Sequence, residues 1–486
     1  MESLEYKMKL TDEQRAILDG SKGETLAKVM ESLVRYGELF GATEMVPISS
    51  KYNHLVTSFG LKALGPVYEL MDKLLEAGAP SGQKFSVDPK PLDKNVPSSF
   101  AQDVVFKLFM YSRQKDYEAQ LRDLGLLSDN AFTCTCYMDE VGNKPGFGEV
   151  LSWSESSAVV YANSVLGARC NRNSGIIDLM GSVIGYVPKF GLLTDEGRKA
   201  DWIIEVNTTI KPEAQLLGSA IGMKVMEDVP YVKGLDKWLG NELNDEACTY
   251  LKDFGAATAS NGAVGLYHID GLTPEAVKEG EALIKPDAKT YVIDDAELER
   301  VYREYPVIWK DKDAQPKLCF MGCPHMSLQQ LKDWTDKVEE GLKKSGAEKV
   351  SIPTVFTAAP DVLEAFERTP YADRLRATGV ITSYICPLMY MNNPLSEKMP
   401  VITSSNKLRT YTSARYYTDD EILEQITAPG NGGGKSVKKA ASEPVKKILA
   451  SEPAKRIIEG TARGIKEKMK DARSKSDPVF RKKGGW

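Results

Sequence analysis

The sequence predicts an α/β protein of more than one domain, built on mostly parallel sheets. From Pro316 onward, short β-rich runs alternate with helical stripes. Lys317–Met321, Val350–Phe356 and Val380–Ile385 read as strands, a helix starts at Ser327–Gln330, and Asp361–Arg376 reads as a helix. Strands separated by helices cannot be hairpins and must pair in parallel. The chain has 486 residues, enough for two or three domains, and its 42% apolar and 27% charged content is that of a globular protein.

Leu10-Thr11-Asp-Glu-Gln14 is a capping box with Leu10 as hydrophobic staple, so a short helix should follow and stop at Gly20. A second helix starts near Gly23. Met45–Ile48 reads as a strand running into a polar loop, Ser49–His54. Apolar residues at 67, 70, 71, 74 and 75 give a helical stripe, with Gly78 as its stop. Residues 79–98 are Pro/Ser/Lys-rich and read as irregular, followed by helices at about 99–114 and 115–125. Gly148–Ala168 carries a helical pattern. Trp202–Val206 reads as a strand and Pro212–Met223 as a helix. In the C-terminal α/β region, about 306–428, Gly322-Cys323-Pro324-His325 reads as a loop, Ser327–Gln330 as a capping box, and Val401–Thr403 as a strand leading to Ser404-Ser405-Asn406-Lys407.

Residues 1–430 are expected to form the catalytic region. They hold 47 Lys/Arg against 62 Asp/Glu, whereas residues 431–486 hold sixteen against six. Gly430–Lys435 reads as a flexible linker. Beyond it, SEPVKKILA and SEPAKRIIE are near repeats in a basic, partly helical tail. That tail lacks the interleaved aromatics of single-strand binders, so nucleic acid is not an expected partner. No apolar run approaches a membrane span, and the N-terminus is too charged for a signal peptide, which points to the cytoplasm.

Seven scattered cysteines (134, 136, 170, 248, 319, 323 and 386) do not form a secreted disulfide framework. Cys248, on a helical pattern, and Cys319, inside a strand, read as buried apolar residues. Cys323 and Cys386 each precede a proline just past a strand's carboxyl end, where open α/β sheets place their sites. With Cys134 or Cys136 they make three thiols from three distant loops. This spacing is unlike structural zinc and suits an iron–sulfur cluster with one iron left open. The stretch 132–172 adds Glu155, Ser156, Ser157, Asn163, Arg169, Asn171 and Arg172, donors and acceptors suited to an anionic ligand.

The runs GFGEVLSWSESSAVVYANSVLGARCNR and MGCPHMSLQQL, a late Cys-Pro and TSSNK resemble the catalytic large subunit of aconitase X, a branch of the aconitase superfamily. The likeness spans roughly residues 8–428 and excludes the basic tail. It implies an aconitase-like multi-domain α/β body and an iron–sulfur hydro-lyase acting on a small hydroxy acid, such as mevalonate 5-phosphate or cis-3-hydroxy-L-proline. Thr133–Tyr137 falls on the family's first cysteine motif, with Cys136 where proline is usual, so the resemblance makes Cys134, Cys323 and Cys386 the ligands of a 4Fe-4S or smaller cluster. His325, Ser156, Ser157 and Glu155 become candidate catalytic groups. Asn163, Arg169, Asn171, Arg172, Ser404, Ser405 and Lys407 become candidate substrate binders. Cys170, Asn173 and Ser174 depart from the family pattern. The superfamily's swivelling domain is missing from this chain and is expected as a separate small subunit, making a heterodimer. The alternative is a cluster-bearing scaffold or interaction protein without catalysis.

Overall fold

A computed structural model describes residues 6–429. The linker and tail expected at 430–486 lie outside the described residues. Residues 6–97 and 106–429 pack as one unit. Residues 98–105, with the short helix Phe100–Val104, are not part of it.

Local signals hold where they are strongest. Thr11 caps Asp12–Leu18, accepting from the Gln14 N–H while the Gln14 side chain takes the Thr11 N–H. Ser327 and Gln330 do the same for Leu328–Ser345. Each such cap is worth about 1 kcal/mol. The stripe at 67–75 forms Gly65–Glu76.

The parallel sheets are present. One has five strands in the order Ile381–Ser383, Thr354–Ala358, Leu318–Met326, Val401–Thr403, Arg415–Tyr416, every pair parallel. A second has four parallel strands in the order His268–Ile269, Pro230–Lys233, Ala200–Val206, Ile284–Ile293. Behind it, Ala214–Val225 packs closely on Asp245–Asn261. A Cβ on Gly218 would enter the Phe254 carbonyl, so this approach needs glycine. The largest core runs from Cys136 to Ile426 across both sheets, and a second core gathers residues 8 to 184.

Four expectations are corrected. Gly148–Ala168 is helical only over Ser156–Ser164. Its first part is extended because Val150 bridges Arg169 and Trp153 bridges His54, and long-range pairing wins over the local stripe. His54 lies not in a loop but in a buried strand, Asn53–Leu55. That strand pairs with Phe85–Val87 inside the stretch read as irregular. Asp361–Arg376 is two helices, Pro360–Glu367 and Pro370–Ala377, each opened by its proline. Gly322–His325 is a bulge inside a continuing strand. From Met321 to Met326 the strand advances five residues while its neighbour advances two, Phe356 to Ala358. The surplus is extruded around Gly322, at φ 93°, where a side chain would strike the Thr357 carbonyl.

The end of the helix that carries Asn163 is tied to the 190–192 turn and to the helix Pro274–Glu279 by a buried ion pair. Arg198 donates to both oxygens of Glu275, at 2.7 and 2.8 Å, and to the carbonyls of Asn163 and Leu192. Both residues are at most 5% exposed. Removing one partner strands the other as a buried charge. Glu275→Leu is therefore expected to cost about 3–5 kcal/mol in urea unfolding, and Arg198→Met with Glu275→Leu to recover part of it. Equal losses in the single and double variants would contradict this.

Candidate active site

Glu155 ends the extended segment and caps the helix Ser156–Ser164, its Oε2 accepting from the Ala158 N–H at 2.6 Å. Its other oxygen takes a short hydrogen bond from Lys407 Nζ. Lys407 comes from the helix Asn406–Tyr411, just after the strand Val401–Thr403. It also donates to Ser157 Oγ at 2.8 Å and to Ser156 Oγ at 3.4 Å. Lys407 and Glu155 are buried, at 7% and 5% exposure. Burial alone would raise the Glu155 carboxyl, but the Lys407 charge, its hydrogen bond and the Ala158 N–H outweigh it and leave Glu155 below the usual carboxylate range. Burial pulls Lys407 down, and Glu155 and the neighbouring thiols more than reverse that. The pair is therefore ionised at neutral pH.

Cys134, Cys323 and Cys386 are buried and free. His325 rivets their three loops. Its backbone N–H donates to Cys134 Sγ at 3.4 Å, its Nε2 meets the Ile385 carbonyl at 3.1 Å, and its Nδ1 meets Thr133 Oγ1 at 3.0 Å. A carbonyl only accepts, so Nε2 carries the proton and Nδ1 accepts from the threonine. Burial pushes His325 down to about 4, so the ring is neutral. Two further bonds complete the scaffold: Cys386 N–H to the Lys90 carbonyl at 2.9 Å, and Ser405 Oγ to the Cys323 carbonyl.

The thiols share one electrostatic neighbourhood. Cys134 and Cys386 each feel Cys323, and all three feel Lys407. Burial pushes each thiol up, so each keeps its proton until a cation replaces it. Among the described residues no three His, Cys, Asp or Glu side chains close on a single metal ion. A cluster in which each thiolate ligates a different iron spreads its ligands wider than one ion does. Three buried, unbridged sulfurs beside two cations, Lys407 and Lys252, fit such a group.

The expected substrate binders divide. Asn163 is consumed by the fold: its Nδ2 donates to the carbonyls of Cys170 and Gly265, and its Oδ1 accepts from the Cys170 N–H. Asn171 holds the 190–192 turn through the Phe190 carbonyl and the Leu192 N–H. Arg169 pairs with Asp195 at 2.5 Å and lines a surface groove with Lys189 and Glu44. Ser405 caps its helix, and Ser404 Oγ rests 3.5 Å from Met321 Sδ. Arg172 is different. Its Nη1 is buried with no hydrogen-bond partner among the described residues, and it senses the charge of Glu155. Sequence reasoning overlooked Lys252, 1% exposed and paired with Asp253 at 2.6 Å. It also overlooked the buried His54 and Asp88, whose facing atoms have no hydrogen-bond partner among the described residues. The one available signal was that His54 is among only three histidines.

A family model described as "Aconitase X first domain" matches residues 7–196, and "Aconitase X second domain" matches residues 200–303. The chain is 33% identical over 380 residues to the phosphomevalonate dehydratase large subunit of Thermococcus kodakarensis, covering 78% of this chain and 86% of that protein. It is 27% identical over 339 residues to the cis-3-hydroxy-L-proline dehydratase of Hypocrea jecorina, covering 68% of this chain and 53% of that one. The crystal structure of Thermococcus kodakaraensis aconitase X in its holo form superposes with a TM-score of 0.70 at 28% identity, covering 87% of this chain and 100% of that one.

Proposed function

The chain belongs to the aconitase X family, and we propose that it is the cluster-bearing large subunit of a heterodimeric hydro-lyase acting on mevalonate 5-phosphate. It is a dehydratase of a small hydroxy acid. The observation that carries the finer reading is the meeting of three buried thiols with an ionised Lys407–Glu155 pair. The phosphate ester is favoured over hydroxyproline because the large-subunit relatives are more similar: 33% and 30% identical against 27% and 26%. The description of those relatives as large subunits supports a separate small partner. We place the protein in the cytoplasm. Among the described residues no helix is long and apolar enough to cross a membrane.

In this reading Cys134, Cys323 and Cys386 hold an iron–sulfur cluster. When bound, it supplies a Lewis acid that weakens the carbon–oxygen bond. The chain's own groups do the rest. Arg172, with its unpartnered Nη1, takes one oxygen of the substrate's carboxylate or phosphate. Lys407 holds positive charge at the floor of the site and fixes the hydroxyls of Ser156 and Ser157, which offer neutral hydrogen bonds. Glu155 does not act as a proton donor, since it is held ionised by Lys407 and the helix N–H. It keeps Lys407 charged. The small subunit closes the site against water and brings the base that removes the carbon-bound proton.

The test is anaerobic co-production with a small swivel-domain subunit. Iron and sulfide would be assayed, then water loss from mevalonate 5-phosphate and from cis-3-hydroxy-L-proline. Dehydration of the phosphate ester at least a hundredfold faster is expected. A cluster-loaded complex inactive on both would refute the reading.

A further inference from the structure

Lys252 is a buried lysine that the reaction above leaves unused. It sits on the helix Asp245–Asn261, 1% exposed, and that helix packs against the strand Leu318–Met326, which carries Cys323. Its Nζ donates to Asp253 Oδ1 at 2.6 Å, its only hydrogen bond among the described residues. An ammonium has three N–H bonds, so two of them have no acceptor there. Keeping a cation in the interior with one partner is costly and calls for a further anionic neighbour. A second link fixes its position. Gln330 Nε2 donates to Asp253 Oδ2 at 2.8 Å, and Gln330 Oε1 accepts from the Ser327 N–H at 3.0 Å. Lys252 is thereby fastened, through Asp253 and Gln330, to the backbone two residues beyond His325, just past the bulge.

The ion pair is lopsided. Lys252 is sealed in, whereas the Asp253 side chain is 20% exposed and its charge is partly screened by water. Cys323 and His325 feel the Lys252 charge, while Asp253 is felt by Asp419, on the helix Asp419–Thr427. Lys407 differs, because its partner Glu155 is as deeply buried and offsets its charge at the same place. Lys252 therefore adds positive charge near Cys323 that no equally buried carboxylate cancels. We infer that Lys252 is a positioning residue for the cluster: its ammonium, held by Asp253 and Gln330, sets the charge at the Cys323 corner of the site and thereby raises the cluster's reduction potential. This rests on the reading of Cys134, Cys323 and Cys386 as cluster ligands. Thiolates in place of thiols bring negative charge into a space that water does not reach, and one-electron reduction adds more. A fixed cation nearby favours the more negative, reduced form, since net charge and burial are levers on such potentials. Dehydration moves no electrons, so the benefit is protective: a cluster of higher potential is harder to oxidise.

The test is a redox titration of the complete complex, purified anaerobically with its cluster and followed by electron paramagnetic resonance. Lys252→Met is expected to shift the one-electron equilibrium at least tenfold toward the oxidised form, a midpoint at least 59 mV more negative. Lys252→Arg keeps the charge and should stay within threefold of the wild type. A packing role would make Lys252→Arg behave like Lys252→Met. That outcome, or a shift smaller than tenfold in Lys252→Met, would overturn the inference. If Lys252→Met does not fold or load, Lys252→Met with Asp253→Asn decides, because it strands no carboxylate. The same tenfold shift is expected there, since the charge removed with Asp253 is the screened one. A smaller shift in the double variant means that the pair acts as a neutral unit, and the inference fails. A wild-type complex that takes up no iron and sulfide would instead sink the cluster reading and is distinguishable from all of these.

Discussion

Lys407→Met is expected to lower turnover at least a hundredfold and to destabilise the chain by about 3–5 kcal/mol, and the two losses can be separated. Among the described residues the ammonium is the only side-chain hydrogen-bond partner of the Glu155 carboxylate, and it holds Ser156 and Ser157 as well. Without it, a carboxylate at 5% exposure faces only one backbone N–H. Glu155 would then relieve the strain by binding a proton, so its folded pKa moves from below the usual range to above it. The sign of the pH dependence inverts with it. In the wild type this carboxylate adds stability above its unfolded pKa, and the gain is lost as pH falls. In Lys407→Met its share of stability is present in acid and lost as pH rises. Lys407→Met with Glu155→Gln removes both charges and should regain most of the stability while regaining none of the activity. Thermal unfolding from pH 5 to 8, beside initial rates, checks both halves. Recovery of turnover in the double variant would mean that Lys407 serves only to neutralise Glu155.

Cys134→Ser, Cys323→Ser and Cys386→Ser are each expected to lose nearly all iron and sulfide and to abolish dehydration. Cys136→Ser, Cys170→Ser and Cys319→Ser should retain both. All six thiols are buried, so burial alone does not distinguish them. Their neighbours do. Cys170 Sγ points at the carbonyls of Trp153 and Asn171, at 3.4 and 3.3 Å, a contact for a protonated thiol and not for a thiolate. Cys319 lies inside the core strand Leu318–Met326, away from Lys407. Cys134, Cys323 and Cys386 all feel the Lys407 ammonium, which offsets the charge that ligation creates. Iron and sulfide analysis of the six variants, purified anaerobically, makes the comparison. Retention of the cluster in any of the first three would remove that residue from the ligand set.

What could be read in advance follows from how local each signal is. Ser327–Gln330 and Thr11–Gln14 carry their whole instruction within four residues, and both capped as expected. The Cys386-Pro387 context was legible because it does follow a strand end, that of Ile381–Ser383; Cys323 lies inside its strand instead. The bulge at Gly322 was not legible, since it exists only relative to the Phe356–Ala358 partner. Asn53–Leu55 was missed for the same reason: three residues make a strand only when Phe85–Val87 arrives. The polar run around 163–172 shows the other limit. Asn163 and Arg172 are the same kind of evidence in a sequence. Folding gives the Asn163 side chain four hydrogen bonds, to Cys170, Gly265 and Arg198, and leaves one Arg172 nitrogen with none among the described residues. Asp88 was hidden because a Pro/Ser/Lys-rich stretch gives no periodicity to mark a buried acid.

The most direct test is diffraction from anaerobically grown crystals, recorded on either side of the iron absorption edge. A single compact iron density bonded to the sulfurs of Cys134, Cys323 and Cys386, and facing Lys407 and Arg172, is the expected result. Iron bound elsewhere, or held by fewer than three of these sulfurs, would contradict it.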